Sequence, residues 1–281
     1  MWPLSPKWQD PLKAPGRIAI SRAGLRVRIV GESDRSTVFI HGLGASLRYW
    51  GTAYDQLAGR SRLLFVDLLG FGGSEKPIAA RYDIADHAAR IADTLQDLGV
   101  AEPLVVGHST GGIVAMALAA NHLTGSTVIA FGAPIFASED VARRHLRKLG
   151  PMERLMADRP PWARRLCAFL CDHRSLAHRL APLFAPTLPA PVASDGADHI
   201  WESYSGTFES LIKLSNVPAL AASLRDRLRL VYGRRDRTTP PLVARVVLGS
   251  DLVIAVVRGD HHLPLRRRQV CSKLIATVWD N

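Results

Sequence analysis

Gly107-His108-Ser109-Thr110-Gly111 stands in the middle of a largely apolar run that extends from Pro103 to Ala117. The pattern is typical of a buried strand, a sharp turn and a helix, with Ser109 at the tip of the turn. A residue at such a tip is forced toward positive φ, and glycines two positions away on either side let the chain fold back without a clash. The unpaired N–H groups at the start of the helix favour a developing negative charge. The sequence therefore predicts a nucleophilic serine.

Short apolar runs alternate with helical patterns on both sides of this turn. A helical spacing covers residues 84–98, and residues 17–21 and 25–30 have the alternation of a hairpin. The remaining runs, typical of strands buried on both faces, lie at residues 37–40, 63–66, 104–106, 127–131, 228–232 and 252–257. This alternation predicts an α/β fold with a parallel sheet.

The rhythm changes at residue 135. Residues 135–216 are helical, basic and interrupted by prolines, among them Pro182. The segment is too long for a simple connection, so we predict a helical lid inserted between two core strands. The core is then formed by residues 1–134 and 217–281, of which 1–15 are an irregular N-terminal strap.

Composition bounds the class of protein. A chain of 281 residues that is 47% hydrophobic can bury one α/β core with an insertion. It has neither an apolar run long enough to span a bilayer nor an N-terminal signal pattern. We therefore expect a soluble, cytoplasmic protein with no membrane partner. The three cysteines suggest buried thiols, without a disulfide framework.

The charge is strongly positive. The formal net charge is +11, and 30 of the 36 basic residues are arginine. Ten Arg or Lys but three Asp or Glu lie between Arg143 and Arg179. Because the basic residues are not interleaved with aromatic ones, we expect no nucleic-acid partner. A basic lid could instead attract acyl-CoA or an acidic carrier protein. Metal-ligand spacing, phosphate loops and dinucleotide fingerprints are missing, so neither a metal nor a cofactor is expected.

A reactive serine needs a histidine to accept its proton and an acid to orient that histidine. Asp236 and His261 each follow a predicted strand, and the order Ser109, Asp236, His261 is the chain order of such a triad on an α/β sheet. Asp260 is a poor alternative acid, since neighbouring residues point to opposite sides. Glu139 and Asp140, at the entrance of the lid, are two further candidate acids.

From Arg17 to the C-terminus, apart from the insertion, the chain resembles the α/β-hydrolase superfamily in its lid-bearing branch. The resemblance rests on the segments 41–44, 67–74, 107–111, 233–240 and 259–265, which follow successive predicted strands. It implies a mostly parallel eight-stranded α/β sheet with helices on both faces and an inserted helical lid.

The resemblance also implies roles for individual residues. The backbone N–H groups of Leu43 and Thr110 would hold the oxyanion. A leucine four places after the histidine, here Leu265, favours His261 over His262, although the family often has an acidic residue where this chain has Arg266.

The resemblance further implies structural roles around the site. His41 and His108 would hydrogen-bond the surrounding loops, and Asp67 would brace its glycine-rich turn. Trp50 would fill a core position of the helix after the oxyanion loop.

The leading functional prediction is a serine hydrolase that cleaves a carboxylic ester, lactone or thioester through an acyl-enzyme. An acyltransferase or perhydrolase and a carbon–carbon bond hydrolase would use the same triad. A non-enzymatic ligand receptor is a prediction of a different class. Relatives with an aspartate nucleophile are excluded by Ser109.

Overall fold

The computed structural model describes residues 7–213, 217–249 and 252–280. Eight strands form one sheet in the order β1-β2-β4-β3-β5-β6-β7-β8. The strands are β1 Arg17–Ile20, β2 Arg26–Val30, β3 Ser36–Ile40, β4 Arg62–Val66, β5 Leu104–His108, β6 Val128–Phe131, β7 Leu228–Gly233 and β8 Val253–Val257. The pairs β1–β2 and β2–β4 are antiparallel, and all others are parallel. The predicted mostly parallel eight-stranded sheet is confirmed.

Helices cover both faces of the sheet, as predicted. The helices outside the insertion are α1 Ile84–Asp97, α2 Thr110–Asn121, α9 Val217–Leu224, α10 Pro241–Leu248, α11 Leu263–Arg266 and α12 Arg268–Ala276. One apolar core lies between the sheet and the face bearing α1, α2 and α9. A second core, with α11 and α12, fills the other face. Trp50 is fully buried there, but in a 3-10 helix, Leu47–Trp50, because Gly51 at φ 62° ends the segment after one turn.

Six helices lie between β6 and α9, in the described part of the insertion. They are α3 Glu139–Leu146, α4 Pro151–Asp158, α5 Pro161–Asp172, α6 Arg174–Phe184, α7 Ala190–Asp195 and α8 Trp201–Lys213. Residues 1–6 of the predicted strap and 214–216 at the end of the predicted lid lie outside the described residues. None of the described helices is long and apolar enough to cross a membrane.

Pro182 does not interrupt the insertion where the sequence predicted a break, because it lies inside α6. A proline lacks the N–H that would bond the carbonyl four residues earlier, which here belongs to His178. The hydroxyl of Ser194 donates to that carbonyl instead, at 2.9 Å. The replacement bond allows α6 to continue through the proline.

Helix α8 is fastened to the core. Nε2 of His87 on α1 lies 2.8 Å from Oγ1 of Thr207, and the hydroxyl of Ser203 donates to the carbonyl of Gly70 at 2.9 Å. The N–H of Ile84, at the start of α1, donates to Ser210 at 3.0 Å. These three bonds hold α8 against α1 and the loop that contains Gly70.

Candidate active site

The parallel register brings six strand ends to one edge of the sheet. Strands β3 to β8 all run in the same direction, so their carboxyl ends meet there. Ser109 follows β5, Gly132 follows β6, Asp236 follows β7 and His261 follows β8. The three residues predicted as a triad thus lie at the same edge of the sheet, with β6 between the strand of Ser109 and that of Asp236.

Ser109 occupies the tip of a strand–turn–helix, as predicted. Its backbone has φ 53° and ψ −124°. Every residue from 103 to 119 is buried except Ser109, which is partly exposed. A Cβ on Gly107 would overlap the carbonyl oxygen of Gly111, and a Cβ on Gly111 would overlap that of His41. The flanking glycines therefore allow the close backbone approach that turns this one side chain outward.

Asp236 and His261 form a hydrogen-bonded pair. Nδ1 of His261 lies 3.0 Å from Oδ2 of Asp236, and the Asp236 side chain is fully buried. The N–H and hydroxyl of Thr239 donate to the same carboxylate at 2.8 and 2.7 Å. Burial alone would raise the pKa of Asp236, but these bonds and the nearby imidazole outweigh it and hold the pKa below its ordinary value. An ionised Asp236 keeps the proton of His261 on Nδ1 and leaves Nε2 free to accept one.

Gly132 lies between the serine turn and this pair. A Cβ built on Gly132 would sit 3.2 Å from both Asp236 Oδ2 and His261 Nδ1. The carbonyl of the preceding residue, Phe131, accepts a bond from the N–H of Ser109 at 2.8 Å. No hydrogen bond among the described residues joins Ser109 Oγ to the His261 imidazole. Ser109 therefore lies near the Asp236–His261 pair, but its hydroxyl is not hydrogen-bonded to His261 within the described residues.

Two of the remaining candidate acids, Asp260 and Glu139, have other partners. Oδ1 of Asp260 accepts from the N–H of His262 at 3.1 Å, and the carboxylate also pairs with Arg266. Glu139 pairs with Arg143 on its own helix at 2.9 Å, and Asp140 is exposed. Among the described residues, Asp236 is the candidate acid that is hydrogen-bonded to the His261 imidazole.

His41 and His108 have the loop contacts expected of them. Nδ1 of His41 lies 2.8 Å from the carbonyl of Gly42, and its Nε2 accepts from the N–H of Leu68 at 3.0 Å. His108 stacks on Tyr49 with ring centroids 4.5 Å apart, and its Nε2 lies 2.9 Å from the carbonyl oxygen of His261. Burial and the neighbouring His261 lower the pKa of His108 well below its ordinary value.

The two N–H groups predicted as the oxyanion hole have no protein acceptor among the residues described. Thr110 is the first residue of α2, so its N–H has no partner within the helix. The loop bearing Leu43 is held by Asp67, which accepts from the N–H of Leu47 at 2.6 Å and of Gly73 at 2.8 Å. The bond from Gly73 braces the glycine-rich turn of Asp67, as expected, and the bond from Leu47 links that turn to the segment after Leu43.

Helix α8 approaches the loop that bears Leu43 and Gly44. Leu43, Trp201 and Tyr204 pack on one apolar cluster, which is centred on Phe208 and other buried residues of the insertion. A Cβ on Gly44 would lie 3.1 Å from the ring of Tyr204. The inserted helices therefore supply apolar side chains beside the backbone that carries Leu43.

Sequence reasoning missed two features of the site. Gly132 is not among the predicted site residues, although a glycine directly after a predicted buried strand favours close packing, and in the structure it has φ 58°. The support that Tyr49 and His108 give to His261 left no sequence signal, because it joins distant loops. Among the described residues, no three His, Cys, Asp or Glu side chains are arranged to hold a metal ion.

The sequence of the chain is similar to those of known proteins. A family model described as "Alpha/beta hydrolase family" matches residues 37–273. The "Probable lysophospholipase BODYGUARD 3" of Arabidopsis thaliana is 32% identical over 175 residues, which are 56% of this chain and 34% of that protein. The 2-hydroxymuconate semialdehyde hydrolase of Pseudomonas sp. (strain CF600) is 33% identical over 152 residues, 49% of this chain and 52% of that protein.

Solved structures share the fold at lower identity. The E-2-(acetamidomethylene)succinate hydrolase superposes with a TM-score of 0.70 and 20% identity, over 95% of this chain and all of that one. The chain spans 23% to 63% of the length of the first curated relatives that it matches. These comparisons establish a shared fold and family, and the activities named belong to the proteins that carry those names.

Proposed function

The chain belongs to the alpha/beta hydrolase family, and from that premise we propose that it is a serine hydrolase with Ser109, His261 and Asp236 as its catalytic residues. The observation that carries the proposal is the 3.0 Å bond between Asp236 and His261 beside the positive-φ turn of Ser109. A buried carboxylate, an oriented imidazole and an outward hydroxyl are the groups that acyl transfer from a serine requires.

Each residue has a defined step. Ser109 Oγ attacks the carbonyl carbon while Nε2 of His261 takes the hydroxyl proton, and the carbonyl electron pair moves onto oxygen. The N–H groups of Leu43 and Thr110 stabilise that oxyanion. The tetrahedral intermediate then expels the leaving group, which takes the proton from His261 and leaves an acyl-enzyme. Water, activated by the same imidazole, releases the acid and restores Ser109.

We propose a carboxylic ester, lactone or thioester of a small to medium, largely apolar acyl group as the substrate class. Leu43 and Tyr204 offer apolar surface beside the oxyanion loop, and Trp201 packs on the same cluster. Apolar lining with few polar groups suits an acyl chain. Neutral leaving groups and small thiols fit this arrangement without further charged contacts.

A basic cavity of the insertion favours acyl-thioesters of an anionic carrier as a second candidate substrate, hydrolysed or passed to another nucleophile. Arg144, Arg147, Lys148 and Arg154 line this open cavity together with Asp158. His145 follows Arg144 on α3, and its Nε2 lies 3.0 Å from the carbonyls of Arg237 and Thr238, which follow Asp236 in the chain. Acyl-CoA or an acidic carrier protein would bring negative charge to this cavity. If so, raising the salt concentration will increase KM for acyl-CoA but leave p-nitrophenyl butyrate unaffected.

The third candidate is cleavage of a carbon–carbon bond in a vinylogous diketone. The relative that supports it is the 2-hydroxymuconate semialdehyde hydrolase, 33% identical over about half of this chain. The same triad would serve, because a ketone carbonyl can also accept the serine hydroxyl or an activated water. Turnover of a vinylogous diketone that exceeds turnover of every ester and lactone would place the protein in this class.

The deciding experiment is labelling with a fluorophosphonate combined with turnover of p-nitrophenyl butyrate. The wild-type protein is expected to be labelled at Ser109 and to hydrolyse the ester. Ser109→Ala should lose both while keeping the circular dichroism spectrum and thermal transition of the wild type. Ser138→Ala, which removes a helix-capping hydroxyl on α3, is the matched control and should keep both. Undiminished turnover in Ser109→Ala would overturn the proposal.

A further inference from the structure

Helices α5 and α6 of the insertion expose a row of large apolar side chains. Trp162, Leu166 and Phe169 on α5 have the spacing i, i+4, i+7, and all three are exposed. Leu176, Leu180 and Leu183 on α6 have the same spacing and are also exposed, as is Phe184. Residues so spaced lie on one face of a helix. Each helix therefore carries an apolar stripe that faces solvent.

The opposite faces of both helices contact the protein. On α5, Ala163 is buried and Sγ of Cys171 donates to the carbonyl of His199 at 3.2 Å. On α6, Ala177 is buried and Nε2 of His178 lies 2.8 Å from Asp198. The exposed stripes are thus the second, outward faces of helices that are already packed. An exposed apolar surface of this extent marks a binding surface more often than it occurs by chance.

Arginines border both stripes in the same way. Arg165 precedes Leu166 and Arg179 precedes Leu180. At 3.6 residues per turn, each arginine lies about 60° around its helix from the first residue of the stripe, Trp162 or Leu176. Both arginines are exposed. Trp, Phe and Leu on one side with Arg at the margin is the composition of helices that lie in the interface of a lipid bilayer.

We propose that the α5–α6 surface, formed by Trp162, Leu166, Phe169, Leu176, Leu180, Leu183 and Phe184, docks on an anionic lipid surface. The apolar stripes enter the boundary between headgroups and acyl chains, and Arg165 and Arg179 contact lipid phosphates. The proposal departs from the expectation of no membrane partner, which rested on the lack of an apolar run long enough to span a bilayer. Docking of this kind leaves the protein on one side of the bilayer. It is therefore compatible with the finding that no described helix could span a membrane.

The charge of the surface argues against a second copy of this chain as the occupant. A two-fold interface brings the same patch of both copies together. Arg165 and Arg179 would then face a second set of the same arginines across the apolar stripes, and juxtaposed like charges oppose association. Asp172 is the single acidic residue on α5 and α6. An anionic lipid surface offers opposite charge to every arginine at once.

The first test is flotation of the full chain with vesicles of phosphatidylcholine, with and without phosphatidylglycerol. Wild-type protein is expected to float with the anionic vesicles. Phe169→Ser/Leu183→Ser/Phe184→Ser should reduce its partition coefficient at least tenfold. Each of these side chains would leave water for the lipid and so contribute to the free energy of binding. The control, Ile78→Ser/Leu242→Ser/Val246→Ser, removes three apolar side chains that are exposed elsewhere, at 70% to 77%, and should float like the wild type. Ester turnover in solution reports that both variants are folded.

The second test locates the contact and the charge. Brominated lipids quench tryptophan at short range, so they should quench the wild-type protein more than Trp162→Phe. Arg165→Gln/Arg179→Gln should weaken binding to anionic vesicles on the order of fivefold for each arginine, and salt should do the same. Wild-type protein that stays unbound, or a control variant that loses as much as the Phe169 variant, overturns the proposal. A dimer in solution that dissociates in the Phe169 variant also overturns it, in favour of a second copy.

Discussion

Nε2 of His108 lies 2.9 Å from the main-chain carbonyl oxygen of His261, so the residue before the nucleophile holds the backbone of the proposed base. A carbonyl only accepts, and Nε2 of His108 therefore carries the proton. Burial and the neighbouring His261 and His262 keep the pKa of His108 low. A neutral ring at this position adds no second positive charge when His261 is protonated during the reaction.

His108→Phe should lower kcat on the order of tenfold with little change in KM. The phenyl ring keeps the stack on Tyr49 but cannot donate to the carbonyl of His261, and small displacements of a catalytic group are costly. The measurement is steady-state hydrolysis of p-nitrophenyl butyrate. Tyr49→Phe, which keeps the stack, is the control and should retain most of kcat. Equal kcat in wild type and His108→Phe would show that this bond does not position His261.

Asp236→Asn should lower kcat by about 10⁴-fold, the loss found when the acid of such a triad becomes an amide. The amide can place its NH₂ group against His261, which forces the imidazole proton onto Nε2 and removes the base. Asp260→Asn is the control, because Asp260 contacts the N–H of His262 and Arg266. The measurement is kcat of both variants for p-nitrophenyl butyrate. A large loss of kcat in Asp260→Asn, with kcat retained in Asp236→Asn, would show that Asp260 is the acid.

Gly132→Ala should lower kcat at least tenfold. Its methyl group would lie 3.2 Å from both atoms of the Asp236–His261 bond, so the pair must move. The matched control is Gly99→Ala, because Gly99 also has positive φ, at 67°, but nothing lies within 4 Å of its added Cβ. Both variants should lose stability by roughly 1 kcal/mol from the strained φ, and only Gly132→Ala should lose activity. If the two lose kcat equally, the loss reflects strain and not the pair.

The sequence predicts what depends on local pattern and on strand direction. The turn at Ser109 follows from its flanking glycines, and the meeting of Asp236 with His261 follows from parallel strands that end at one edge. The fastening of α8 to the core does not follow, because His87 and Thr207 are 120 residues apart and their bond depends on how the insertion packs.

The insertion is also where single-residue rules fail. Pro182 predicts a helix break, but α6 continues through it. The hydroxyl of Ser194 donates to the carbonyl of His178, which has no N–H partner on the proline. The exposed stripes of α5 and α6 have the spacing of buried stripes, and only packing decides which face is covered. Sequence patterns identify the amphipathic helices, but not the side that they turn to the core.

The last prediction concerns acid stability, through the buried His87 and the half-buried His199 and His262. Burial lowers the pKa of each to about 4 from an ordinary value of 6.5, and positive neighbours add to this at His262. Between pH 6.5 and pH 4 the unfolded chain therefore binds more protons than the folded one. The free energy of unfolding must fall as the pH falls through this window, by up to roughly 1.4 kcal/mol per pH unit for each histidine.

Urea denaturation at pH 7, 6 and 5 measures this slope, and His87→Gln isolates one contribution. Glutamine can still bond Thr207 but takes up no proton, so the free energy of unfolding should fall less steeply with acid than in the wild type. His122→Gln replaces an exposed histidine and is the control, with the wild-type slope expected. Because His87 bonds α8 to the core, its protonation should also weaken that contact. The amides of residues 201–213 in the wild type should therefore be less protected from exchange at pH 4 than at pH 7. A slope identical in all three proteins would contradict the proposed role of His87.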